Sequence, residues 1–120
     1  MLNPMSKPDT SMLTICLTCR DNSGQALHDL IAAENPDDGI QLEGYDCLWS
    51  CAAACSVQLK ETGKIGYHMG GFLPRADQAR AILEFAGKYH ASATGEVDYQ
   101  DWPEAIRGHF IARIPPLQSF

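Results

Sequence analysis

The chain has 120 residues, 45% of them hydrophobic, which is enough to bury one core and too little to need two. Its 15 acidic residues outnumber 9 basic ones and no basic patch interrupts them, which argues against nucleic acid or an anionic membrane as a partner. No stretch approaches the ~20 apolar residues of a membrane span, and the first dozen residues lack the apolar run of a secretory signal, so the expected location is the cytoplasm.

Residues 1–12, with two prolines and polar neighbours, read as a flexible tail ahead of a single domain over 13–120. From Leu13 to Leu17, apolar Leu13, Ile15 and Leu17 alternate with Thr14, Cys16 and Thr18, which predicts a strand with one buried face. "CRDNSG" breaks the alternation. Asn22 or Ser23 is the expected cap of a helix carrying Leu27, Leu30 and Ile31 on one side, and "NPDDG" ends it. "IQLEGY" alternates again, so strand, helix and strand form a crossover unit with two parallel strands.

After a cysteine-bearing loop, "CSVQLK" and "KIGYHM" flank "ETG" and predict an antiparallel hairpin. Between Pro74 and His90, Ala79, Ile82, Leu83, Ala86 and Tyr89 recur at helical intervals, with Pro74 placed where a first turn tolerates it. "DWPEAIRGHF" suggests one short helix opened by Asp101 and Pro103, and the two prolines of "ARIPPLQSF" require an extended chain. The fold class expected from this order is α/β. It is a four-stranded mixed sheet with two main helices and a carboxyl-terminal tail, the core of a thioredoxin-like fold without the helix that usually joins its second and third strands.

Five cysteines in a reducing compartment read first as metal ligands or redox groups. Cys16 and Cys19 stand at the exit of the first predicted strand, and Cys47 and Cys51 follow the second. Neighbouring parallel strands leave the sheet at one rim, so four thiols converge there. A pair two residues apart can face one ion, as can a pair at i and i+4 on a helical turn. Four thiolates suit an iron–sulfur cluster or a structural zinc ion. Zinc ribbons usually repeat a pair separated by two residues, whereas Cys47 and Cys51 are separated by three. Trp49 and Leu48, between two ligands, could shield a cluster, and Trp49 could equally pack on the sheet edge.

"TICLTCRD", "CLWSCAAAC", "GKIGYHMGGFLP" and "ARIPP" together resemble a family of small bacterial proteins described as predicted metal-binding and of unknown function, related to thioredoxin-like two-iron two-sulfur ferredoxins. The resemblance covers most of residues 13 to 116. It implies Cys16, Cys19, Cys47 and Cys51 as ligands of a 2Fe-2S cluster and an electron carrier docking through an acidic face on a basic redox partner. The first pair is spaced more tightly than in the better-known ferredoxins of that kind. Cys55 is an additional cysteine, readable as a spare ligand, a redox partner of Cys51 or a small buried hydrophobe.

Two other readings use the same residues. A zinc-binding structural or metal-delivery protein would employ the four thiols, with His68 at the end of the fourth strand as the candidate histidine. A thiol–disulfide oxidoreductase would employ Cys16 and Cys19, which calls for a helix amino terminus beside the thiolate, and here "RDNS" is expected to intervene. No nucleophile, base and acid stand at spacings that suggest another catalytic site.

Overall fold

The computed structural model describes residues 10–34, 36, 39–46 and 55–116, with residues 19–21 described in backbone only. Its elements are β1 (Ser11–Cys16), α1 (Cys19–Ala33), β2 (Ile40–Tyr45), β3 (Val57–Lys60), β4 (Gly66–Met69), α2 (Ala76–Ala91) and β5 (Phe110–Ile114), with short 3-10 turns at Tyr99–Asp101 and Glu104–Ile106. The strands form one mixed sheet in the order β2-β1-β3-β4-β5. β1 pairs parallel with β2 and antiparallel with β3, and β4 is antiparallel to both β3 and β5.

The crossover and the hairpin are where the alternation places them. The strand count differs: the sheet has five strands, not four, because the proline-bounded extended segment joins it as β5 beside β4. The single helix expected in "DWPEAIRGHF" is two separate 3-10 turns, with Pro103 at the start of the second. β1 also begins two residues early, at Ser11, because its amide hydrogen-bonds to the Gly39 carbonyl at 2.8 Å and so lies within the sheet.

Period-two alternation divides the sheet into two faces. Leu13, Ile15, Ile40, Val57, Leu59, Tyr67 and Met69 look toward the helices and share one core cluster with Leu27 and Ile31 of α1 and Ala79, Ile82, Phe85, Ala86 and Tyr89 of α2. The two helices touch each other as well as β1 and β2, so both lie on that face. Tyr67 anchors its far side, edge-on to Phe85 and Phe110 at ring-centroid distances of 5.2 Å each, and Trp102 stacks on Phe110 at 3.9 Å. The alternate positions, Thr14 and Cys16 of β1, Gln58 of β3 and His68 of β4, belong to the opposite face. Among the described residues, no helix is long and apolar enough to cross a membrane.

Candidate metal centre at the strand exits

Parallel pairing fixes how the two exits meet. Cys16, the last residue of β1, is in register with Tyr45, the last residue of β2, and Cys47 follows two positions later. Beyond the last pair the two chains stay fastened. The Leu17 amide donates to the Tyr45 carbonyl at 2.9 Å and the Thr18 amide to the Asp46 carbonyl at 3.3 Å. The Asp46 carbonyl also accepts a hydrogen bond from the Thr18 hydroxyl and one from the Cys16 thiol, whose sulfur is 3.8 Å away. Leu17 packs over Gly44, where a Cβ would lie 2.6 Å from the leucine methyls.

On the other flank, the Cys16 amide donates to the Ser56 carbonyl at 3.0 Å. Three stretches of chain therefore meet at one rim: the first cysteine pair, the residue before Cys47, and the residues just before β3. Cys16 is fully buried and Cys55 is 1% exposed, yet they occupy different surroundings. Cys55 belongs to the helix-side core cluster, with its backbone paired to Phe72, whereas Cys16 does not belong to that cluster. Cys55 is thus packed among apolar side chains.

Helix α1 opens at Cys19, not after "RDNS" as the sequence suggests. Two local features explain the difference. Thr18, at the cap position, has αR backbone angles and makes no side-chain cap bond, so the usual start signal is missing. Asn22 takes φ 67, a left-handed value that asparagine tolerates better than most residues, so a local cap-like conformation lies inside the first turn. Gly24 then allows the helix to press on the exit of β1: a Cβ there would lie 1.7 Å from the Cys16 carbonyl oxygen. The Gln25 amide uses that approach to donate to the Leu17 carbonyl at 3.0 Å.

Cys16 and the backbone of Cys19 are thus placed at the rim, while Cys47, Leu48, Trp49 and Cys51 lie outside the described residues. Among the described residues, no group of three or more His, Cys, Asp or Glu side chains is arranged to hold a metal ion. His68 sits across β3 from β1, in register with Gln58, which is itself level with Thr14, and is not brought beside Cys16. Burial lowers its pKa from the ordinary value, favouring neutral imidazole.

The sequence reading missed Thr18, Gly24 and Asp46 as partners of the cysteines. Only the two-residue gap between Cys16 and Cys19 hinted that its intervening residues must be engaged. It also missed a second polar cluster at the opposite end of β1. There the Ser11 hydroxyl donates to Glu61 at 2.5 Å, and His90 Nδ1 lies 2.8 Å from Ser11 Oγ and 3.1 Å from the same Glu61 oxygen. Lys64 Nζ, 3.2 Å from that oxygen, also donates to the carbonyls of His90 and Tyr89. Serine and acid meet the same ring nitrogen, so this is no relay in which a histidine takes a proton from serine on one nitrogen while an acid holds the other. It is a clasp joining β1, the β3–β4 turn and the end of α2.

Of the comparisons with known proteins, one family model matches the chain over residues 13–116, and its description is a protein of unknown function, DUF1636. No curated protein and no solved structure matches.

Proposed function

We propose, for a chain that belongs to the DUF1636 family, that Cys16, Cys19, Cys47 and Cys51 are a thiolate set for a two-iron two-sulfur cluster and that the protein is a small electron carrier. The observation that carries this reading is the fastening of the Cys16–Thr18 segment to Tyr45 and Asp46, which holds the chain leading into Cys47 against the first cysteine pair. The strand order β2-β1-β3-β4, with both helices on one face, supports a thioredoxin-like fold with β5 as an addition at its edge.

The donor set suits such a group. A cluster of this kind supplies one-electron redox chemistry when bound and is held by four cysteine thiolates. The chain's own residues would orient and shield it. Cys19 opens α1, so the positive end of that helix faces the place where negative charge would gather. Leu17 lies against Gly44 between the two exits. The excess of acids in residues 1–50, eight against two bases, supports docking on a basic redox partner.

Purification without oxygen or added metal is the test: iron and acid-labile sulfide in equal amounts, with a visible charge-transfer spectrum, is the expected result. A colourless protein holding zinc and no sulfide would overturn the cluster in favour of the zinc reading on the same thiols.

One observation favours a second reading. With Cys19 as the first residue of α1, the helix terminus that dithiol chemistry requires stands beside the pair, and "RDNS" no longer separates them. In that case Cys19 is the attacking thiol, because Cys16 is fully buried. Cys47→Ser and Cys51→Ser separate the two readings. They leave a disulfide reductase active and abolish iron and sulfide binding by a cluster protein.

A further inference from the structure

We infer that Thr18 is a positioning residue whose hydroxyl sets the distance between the Cys16–Cys19 pair and the chain entering Cys47. The role deepens the reading of the four thiols as one set, and rests on it.

Threonine at the start of a helix normally turns its oxygen back to accept from an amide of the first turn. Thr18 occupies that position on α1 and makes no such bond. Its hydroxyl instead donates across the rim to the Asp46 carbonyl, the same oxygen that accepts the Thr18 amide. One residue therefore delivers both its donors to one acceptor 28 positions away, immediately before Cys47, and leaves its own helix without a side-chain cap. Local stability favours the cap, so the cross-rim bond marks a requirement on the relative placement of the two exits.

The neighbouring contacts make that placement narrow. Gly24 brings α1 so close to the Cys16 carbonyl that the first exit cannot shift toward the helix, and Leu17 fills the space over Gly44. The Thr18–Asp46 contact is the last described fastening before Cys47. Groups that orient metal ligands from outside the ligand set usually account for about 10- to 100-fold in affinity.

The test compares the full chain with Thr18→Val, which keeps the branched shape and loses the hydroxyl, and Thr18→Ser, which restores it. Cobalt(II), titrated anaerobically and followed by its thiolate charge-transfer absorption, reports the assembled set. In parallel, the reduced metal-free protein is oxidised with diamide and digested with trypsin. Cleavage after Arg20 separates Cys16 and Cys19 from Cys47, Cys51 and Cys55, so the yield of disulfides joining the two peptides reports how close the exits lie.

Thr18→Val is expected to weaken cobalt binding by about tenfold and to shift oxidation away from inter-peptide disulfides, with Thr18→Ser close to the parent in both. Cobalt affinity and cross-linking equal to the parent in Thr18→Val overturn the inference while leaving the thiolate set intact. A parent chain that gives no cobalt charge-transfer band, but whose cross-linking still depends on the Thr18 hydroxyl, overturns the thiolate set and upholds the placement by Thr18. A serine variant that behaves like valine also overturns the inference, because the hydroxyl is then not what acts.

Discussion

Glu61 shows how a buried charge is kept at the end of the sheet away from the cysteines. Its side chain is 5% exposed and its Lys64 partner 9%. Burial alone would raise the carboxyl, but hydrogen bonds from Ser11, His90 and Lys64 and the lysine charge outweigh it and hold the pKa below the ordinary value of 4.5. A carboxylate depressed by folding contributes stability above its unfolded pKa and loses that contribution as pH falls through the folded one. Glu61→Gln is therefore expected to cost about 2 kcal/mol at pH 7, with the gap from the parent closing once pH drops well below 4.5; urea unfolding at pH 7 and at pH 3 measures both. Gly24 offers a sharper residue-scale test. Alanine for glycine inside a helix usually stabilises, by about 1 kcal/mol. Here the added methyl meets the Cys16 carbonyl oxygen at 1.7 Å, and Gly24→Ala is expected to destabilise by about 3 kcal/mol. An increase in thermal midpoint would show that α1 is not pressed against the exit of β1.

At the scale of elements, the regions that were legible in the sequence are those whose pattern is local. Leu13 and Ile15 alternate because one face of β1 is covered, and Ala79, Ile82, Ala86 and Tyr89 recur because one side of α2 is. The first turn of α1 was not legible, because Thr18 spends its hydroxyl on Asp46 and Asn22 adopts a left-handed conformation within the helix. β5 was legible as extended chain but not as part of the sheet. Its pairing depends on Met69, His68, Tyr67 and Gly66, some forty residues earlier, and on Phe110 entering an aromatic group that only the folded chain assembles. The cysteine rim was legible as topology and not as chemistry, since parallel strands dictate a shared exit but no spacing names Thr18 or Gly24 as its fasteners. Phe110→Ala is expected to cost about 3 kcal/mol and to raise hydrogen-exchange rates across β4 while those of β1 stay near the parent's. Uniform acceleration over both strands would mean that β5 does not unfold as a separate edge.

Over the whole molecule, the acidic excess lies in residues 1–50 and the remaining seventy residues carry seven charges of each sign. β1 and β2 come from the acidic half of the sequence and β3 to β5 from the balanced half. If the protein carries electrons to a basic partner as proposed, the transfer should slow as ionic strength rises; stopped-flow rates with a basic redox protein at low and high salt measure this. The core makes a separate point. Its apolar cluster joins both helices to β1 through β4. If the rim holds iron or zinc as proposed, the polypeptide stripped of it should still melt as one cooperative unit, because the shared apolar core stands without that rim; calorimetry with and without chelator measures this.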